Sequence, residues 1–499
     1  MLTAEQALSI TARLYERLVD RRKLVEKRFK YLDGEHPLVY ASDSWKKFHG
    51  ERYKGFRDNW CDVVAQAPVD RLRVEGIRLG EAGDITTADE KEIWGDWSRN
   101  EMTAQSLQGF LTSVAASRSA VIVWDDGRNE SIPLDTWERP DQVAIDYDPT
   151  GRFRRHAIKA WTEDNTEYAT LYTPEALFKW ERPTAIGEDT RKRLMDQGFQ
   201  IPGTLGWGGG WKPREIADEP WPLPNPLGVV PVVEIMNRPR IGMNPISEID
   251  GVIAMQDAIN AMWSYLFANA DQASMEARIV LGAEPPSVPI LDENGQVIGS
   301  KPANMEDLAS GRLLFLPNAT GVDQYSAAKA EYFISTIKQA LAHISAQTRT
   351  PGHYLNTNDS MANLNGDALT AAEVPLATKC GTFQIHAGPS IKEIAALNAL
   401  VRGRQGIADA IRATDSIRFV QWRDAAMHSL AQVADAATKD KSIGMSLRTI
   451  LEKRYGMTEP EIDREMERIA AERPPDPVGE ALVGELRNGS NGNPAAGGQ

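Results

Sequence analysis

Apolar spacing along the chain switches between a period of three to four and a period of two, and the switches divide it into regions. Between residues 4 and 30, Leu8, Leu14, Leu18 and Val25 stand among charged residues in a pattern that predicts a helix. A turn follows at Tyr31, Asp33, Gly34 and Pro37. A second helix, over about residues 57–72, is built on Trp60, Val63, Val64 and Val69, and residues 90–117 predict another helix or helix pair. Beyond them the period shortens. The run at 120–124, closed by Asp125, Asp126 and Gly127, predicts a strand and a turn, and runs at 143–146, 157–161, 169–172 and 177–180 predict an antiparallel sheet. Two stretches rich in Gly, Pro and Trp, 203–211 and 219–226, read as irregular connections. Residues 229–236 form one more apolar strand.

The pattern then turns strongly helical. Ile249, Val252, Met255, Ile259, Met262 and Leu266 line one face of a predicted rod over residues 247–274, roughly 40 Å long at 1.5 Å per residue. Ser247 is placed to cap the amide of Asp250, with the Asp250 carboxylate reaching back. A β-like insertion follows, with strands at 278–281 and 313–316 and a hairpin signal at Asn294-Gly295. A second rod over residues 328–348 places Ile334, Ile337, Leu341 and Ile344 on one face. Residues 366–402 form a third helical tract, with bends expected at Pro375 and at Gly388-Pro389. Three shorter amphipathic helices come next. Phe419, Trp422, Ala426, Leu430, Val433 and Ala437 stripe the first, residues 443–455 form the second, and Thr458 and Glu461 cap the last, which runs to about Glu472. Residues 473–499, rich in Pro, Gly and Asn, are expected to be disordered. The fold class is α+β and mainly helical.

Charge changes this picture in one place. The 499-residue chain carries a formal charge of −14, too acidic for a nucleic-acid binder held by a basic surface. The first rod is one-sided: Glu248, Asp250, Asp257, Asp271 and Glu276 occur with no Lys, Arg or His between Ile241 and Ala277. Affinity for a duplex comes mainly from Lys and Arg neutralising phosphates, so such a rod slides past DNA or repels it; a solvated acidic face on an ordinary helix is the plainer alternative. Lys329, Lys338 and Arg349 on the second rod are a counterweight. Cys61 and Cys380 are too few and too far apart for a disulfide framework or a zinc site, and fit synthesis in a reducing cytosol. No signal peptide and no apolar run long enough for a membrane span is present, and the product is expected to be soluble when made.

Catalytic signatures are missing. The chain has no Gly-x-x-x-x-Gly-Lys-Ser/Thr, no His-Glu-x-x-His, no Cys-x-x-Cys and no Gly-x-Ser-x-Gly. The glycines between Trp207 and Trp211 lack the strand-to-helix setting of a phosphate loop, the seven histidines are scattered, and Asp125 with Asp126 is better explained by a strand-ending turn than by a metal. No catalytic residue, metal or cofactor is expected. The remaining candidate is the loop at 350–366, which offers Asn356, Asn358, Ser360, Asn363 and Asn365 between two long helices. Neutral amides exchange hydrogen bonds with phosphates without strong Coulomb attraction, which suits transient contact; a plain surface loop is the alternative.

The order of these parts resembles that of tailed-bacteriophage portal proteins, the head-to-tail connectors. The resemblance rests on a collinear set: Lys30-Tyr31-Leu32-Asp33-Gly34, Asn59-Trp60 with Asp70-Arg71-Leu72, and Asn225-Pro226-Leu227-Gly228 leading through Val230-Pro231-Val232 to Asn237-Arg238. Ser247-Glu248-Ile249, Asn365-Gly366-Asp367-Ala368-Leu369, and Ala434-Asp435-Ala436 with Lys439 complete it. It implies a wing at residues 1–242, stem helices at 243–273 and 328–349, and a clip at 274–327. It further implies a tunnel loop at 350–366, a bent wing helix at 367–403, a crown at 404–473 and a tail at 474–499. The function implied is a ring at one capsid vertex, typically of about twelve copies, through which DNA is packaged and ejected. Expected partners are the large terminase subunit, a head-tail adaptor, major capsid and scaffold proteins, and the double-stranded DNA in the channel, with no membrane; the place is the virion after synthesis in the host cytoplasm. Asp250, Asp257 and Lys338 are the expected channel-lining stem residues, and Glu284, Asp292, Glu293 and Asn294 the expected clip residues for partner binding. Another phage minor capsid or adaptor protein, or a metal-dependent nuclease, are the readings weighed against it.

Overall fold

In a computed structural model the described residues are 2–37, 58–79, 87–184, 210–274, 278–281, 287–291, 295–302, 313–316, 329–355, 366–426, 430–457 and 459–472. Strand β2 (Arg118–Asp126) is central to the first half of the chain, and its composition explains why. It is apolar at successive positions, so both of its faces are buried: Ala120 and Ile122 point into one core, Val121 and Val123 into another. It pairs antiparallel with β3 (Asn129–Glu138) on one side and β10 (Val232–Met236) on the other. A second sheet runs β4 (Val143–Tyr147), β5 (Arg154–Glu163), β6 (Thr166–Tyr172), β7 (Ala176–Pro183) and β8 (Lys212–Pro213), with β9 (Leu223–Pro224) also on β7. Every pairing in it is antiparallel.

Four layers result. Helix α1 (Ala4–Leu32) lays Leu14 and Leu18 on Ile158, Leu171 and Phe178 of the second sheet, whose other face meets β2 through Val143, Ile145 and Ala157. The far face of the β2 sheet carries α4 (Met102–Ala116) and the long helix described below. Helices α2 (Trp60–Val69) and α3 (Thr87–Arg99) close the same core, and β1 (Val74–Ile77) pairs with a distant strand near the C-terminus, β15 (Val420–Trp422). That pairing corrects the expected stripe from Phe419 to Ala437. Phe419 ends a short helix, Val420 to Trp422 are extended, and the next described helix is Leu430–Ser442.

The rods are present as α5 (Ile253–Ser274) and α6 (Ala330–Thr348). Core contact at the start of α5, through Ile249, Val252 and Ile259, and at the end of α6, through Ile337, Leu341 and Ile344, makes them an antiparallel pair rooted at one end. Their far ends carry a hairpin of β12 (Ser287–Leu291) and β13 (Val297–Pro302), with Gly295 at φ +80°, and a parallel pair of β11 (Arg278–Leu281) and β14 (Leu313–Leu316). The expected start at Ser247 is not observed. The Ser247 hydroxyl accepts from the amide of Ile249 and donates to the Ala115 carbonyl, fixing a turn against α4, and the helix begins five residues after the expected Asp250 amide contact would allow.

After a short turn of helix, α7 (Gly352–Leu355), the long helix α8 (Gly366–Val401) runs for 36 residues through both Pro375 and Pro389. An interior proline frees the carbonyl four residues earlier. Here Ala371, Pro375, Ile385 and Pro389 are all on the exposed side, where water serves those carbonyls, and the helix continues. Its other side, Leu376, Cys380, Phe383, Ala387, Ile391 and Ile394, is the spine of the main core. Helices α9 (Gln405–Ala413), α10 (Ser416–Phe419), α11 (Leu430–Ser442), α12 (Leu447–Tyr455) and α13 (Glu459–Glu472) complete the chain.

Two contacts of this architecture are exacting. A methyl group at Gly109 on α4 would lie 1.9 Å from Cε3 of Trp137 on β3, a ring that also meets Phe110 edge-on. On the same face of β3, two residues earlier, buried Asp135 accepts from Nδ2 of Asn398 at 3.0 Å, while its second oxygen and the Asn398 carbonyl oxygen have no hydrogen-bond partner. Burial, with Asp96 nearby adding to it, pushes the Asp135 carboxyl up to about 7 against the Asn398 hydrogen bond. A proton there supplies the donor that these oxygens lack.

Gly109→Ala should therefore lower stability by about 1–3 kcal/mol in a denaturant titration, although glycine to alanine ordinarily strengthens a helix. Because the folded-state pKa of Asp135 lies above the unfolded one, its contribution is complete below about pH 4 and is lost as pH rises through about 7. Asp135→Asn keeps the shape with no titrating proton, and should flatten this part of the stability profile, removing roughly 1.4 kcal/mol per pH unit of slope in that window.

Candidate functional site at the rod junction

The feet of both rods, the end of α1, the start of α2 and the first third of α8 meet in a charged junction. Glu248, just before α5, is buried and receives Nζ of Lys379 from α8 at 2.8 Å, Nδ2 of Asn237 at 3.1 Å and a guanidinium nitrogen of Arg238 at 3.3 Å. Burial alone pushes such a carboxylate up, but the Lys379 charge and these hydrogen bonds outweigh it and hold Glu248 below its usual range. Lys379 Nζ also donates to the last carbonyl of α6, Thr348, at 3.0 Å. One ammonium thus ties the entry of the first rod to the exit of the second.

A second buried cluster holds the segment after α6. Glu373 on α8 accepts from Arg71 at 2.7 Å and contacts Nε2 of His353 at 2.7 Å, with its side chain only 3% exposed. Arg71 spends its other donors on the Tyr354 hydroxyl at 3.0 Å and the Ala425 carbonyl at 2.9 Å. Tyr354 and His353 precede residues 356–365, and Glu373 follows them, so described residues on both sides of that stretch are fastened to one arginine.

The first rod is further bound along one strip. Arg28 from α1 forks onto Asp250 at 2.6 and 2.8 Å, the Tyr31 hydroxyl donates to both oxygens of Asp257 at 2.8 and 2.9 Å, and Gln256 accepts from the Trp60 amide at 2.7 Å. Asn260 meets His36 at 3.0 Å, and Trp263 donates to Asp58 at 3.0 Å. Asp257 is 7% exposed; burial raises its pKa despite Tyr31 and the nearby His36 and Lys27 charges. Of the expected channel-lining residues, then, Asp250 is half-exposed and neutralised by Arg28, Asp257 is covered by α1, and Lys338 lies on the exposed side of α6. Asn356, Asn358, Ser360, Asn363 and Asn365 lie outside the described residues, as do Glu284, Asp292, Glu293 and Asn294.

Sequence reading missed Glu373 and Lys379. The available signal was their isolation, since they and His386 are the acidic or basic side chains between Asp367 and Lys392 in an apolar helical tract. Among the described residues no group of three or more His, Cys, Asp or Glu is placed to hold a metal. What it does chemically is fix geometry. Glu373→Gln leaves Arg71 buried with no anion, and should cost about 3–5 kcal/mol in a denaturant titration. Replacing both, Arg71→Met with Glu373→Met, should recover much of that loss because no charge is then stranded.

Residues 13–474 match the family model described as phage portal protein, SPP1 Gp6-like. The chain is similar to the portal protein of Mycobacterium phage L5, with 28% identity over 399 residues covering 77% of this chain and 71% of the relative. It is similar to the same degree to the portal protein of Mycobacterium phage D29, with 77% of this chain and 72% of the relative covered. Some of the pieces of sequence that carried the resemblance, Tyr31, Asn59-Trp60, Arg71, Asn237-Arg238 and Ser247-Glu248, meet at this junction, and a match over nearly the whole length places the chain in the SPP1 Gp6-like family of phage portal proteins.

Proposed function

We propose that copies of this chain close into a ring of about twelve at one capsid vertex, with the paired rods forming the wall of a channel for double-stranded DNA. The observation that carries the reading is the junction: both rods and both sides of loop 356–365 are fastened at one height, so identical copies would set their loops in one plane. Residues 1–242 act as the wing, 243–273 and 328–349 as the stem, and 274–327 as the clip that docks the terminase motor and later a head-tail adaptor. Residues 350–366 act as the tunnel loop, 367–403 return to the wing, and 404–473 form the crown; major capsid and scaffold proteins meet the wing. Glu284, Asp292, Glu293 and Asn294 are the clip positions for partners.

The wall has little hold on DNA for a reason different from bare acidity. Helix α5 has no Lys or Arg, and two carboxylates near its foot, Asp250 just before it and Asp257 within it, are paired with Arg28 and Tyr31 of the same chain. Phosphates passing it meet a surface short of cations rather than a row of free anions. Lys338 supplies an exposed positive ring on the second rod, and force comes from a separate ATPase.

Negative-stain images of the purified full-length protein should show rings with a central hole; compact monomers throughout would overturn the reading. Alanine at Asn356, Asn358, Ser360, Asn363 and Asn365 together should leave rings intact while reducing the DNA packaged per head, and unchanged packaging would remove the loop from the channel.

A further inference from the structure

The second sheet exposes charged side chains of opposite sign at its two ends. At the β4–β5 turn, Arg152 and Arg155 are exposed, make no ion pair among the described residues, and flank Phe153, which is 70% exposed. This tip is built rather than loose. The Asp148 carboxylate accepts from the amides of Arg152 and Phe153 at 3.1 and 3.0 Å and from the Thr150 hydroxyl at 2.8 Å, and the Asp148 amide donates to the Phe153 carbonyl at 2.9 Å. The Thr150 bond and these amides hold the carboxylate down to about 2. Arg154, between the exposed arginines, is pinned to Glu393 on α8, which also takes Arg412 from α9. An aromatic ring between arginines on a rigid turn has the composition of an interface anchor.

At the opposite end of β5, roughly 33 Å away at 3.3 Å per residue, Glu163 and Asp164 are exposed and likewise without an ion pair among the described residues. Two positions back from Glu163, on the same face of the strand, half-buried Trp161 stacks on Tyr168 with ring centroids 5.3 Å apart. The Arg214 guanidinium lies 4.4 Å from the Tyr168 ring centroid, so one end offers a phenyl ring with two cations and the other two anions beside an aromatic pair capped on one side by an arginine.

From this complementarity we infer that the tip Arg152-Phe153-Arg155 of one copy docks on the Trp161–Tyr168 and Glu163–Asp164 end of the next copy. The inference rests on the ring reading above and names the contact that closes it. A head-to-tail ring needs two different, mutually complementary patches on each copy. Chains that each carry −14 repel one another, so local cation–anion matching has to set the register. Phe153 supplies the apolar anchor, and the arginines select the neighbour's acidic end.

The test is charge reversal, read as the fraction of ring to monomer by mass photometry across a salt series. R152E/R155E alone and E163K/D164K alone should each lower the assembled fraction about tenfold at low salt, and the four changes together should restore it. Phe153→Ser should weaken assembly at every salt concentration, with the circular dichroism melting midpoint of the monomer unchanged. Rings of wild-type abundance in both charge variants, or no restoration in the combined variant, would overturn the contact while leaving the ring itself standing. A wild-type protein that stays monomeric would instead sink the ring reading and the contact with it.

Discussion

Two opposite charges six residues apart on the long helix, Glu373 and Lys379, are buried against partners drawn from four separate parts of the chain. Neither charge is tolerable in such surroundings alone, because desolvation costs several kcal/mol per ion. Each therefore forces its partners into place: Lys379 needs Glu248 and the Thr348 carbonyl, and Glu373 needs Arg71 and His353. Apolar packing would hold the same helices together with more freedom to slide. Fixed donor and acceptor directions set where the rods leave the body and hold α7 against α8.

The layered sheets give this junction a stiff backing. Strand β2 is buried on both faces, so the two sheets and the helices on either side cannot shift without opening one of two cores. Glu248 hangs from that frame directly, since its amide donates to the Val114 carbonyl at the end of α4 and its carboxylate takes Asn237 at the end of β10. Rods, long helix and sheets form one mechanically continuous body.

Much of the fold was legible because burial leaves a periodic trace. Ile249, Val252 and Ile259 face the core as their spacing requires, and the strands at 143–146, 157–161, 169–172 and 177–180 pair in sequence order. The expected site was legible only in part. Arg71, Tyr31, Asn237 and Glu248 were visible as fragments of weak motifs, and nothing local joined them. The acidic row of the first rod misled in a specific way, because Asp250 and Asp257 find Arg28 and Tyr31 on a helix more than two hundred residues earlier.

By itself the sequence determined the type of most elements, the pairing of short-range strands, and membership of the family, because those follow from local period, turn chemistry and the order of motifs. Tertiary structure decided which charges are neutralised, that α8 runs through Pro375 and Pro389, that α5 starts at Ile253, and that Val420 to Trp422 pair with Val74 to Ile77. Each of these outcomes is settled by what lies opposite in space. A carboxylate's charge, a freed carbonyl's solvent, a capping hydroxyl's acceptor and a lone strand's partner all come from distant segments, and no window along the chain contains them.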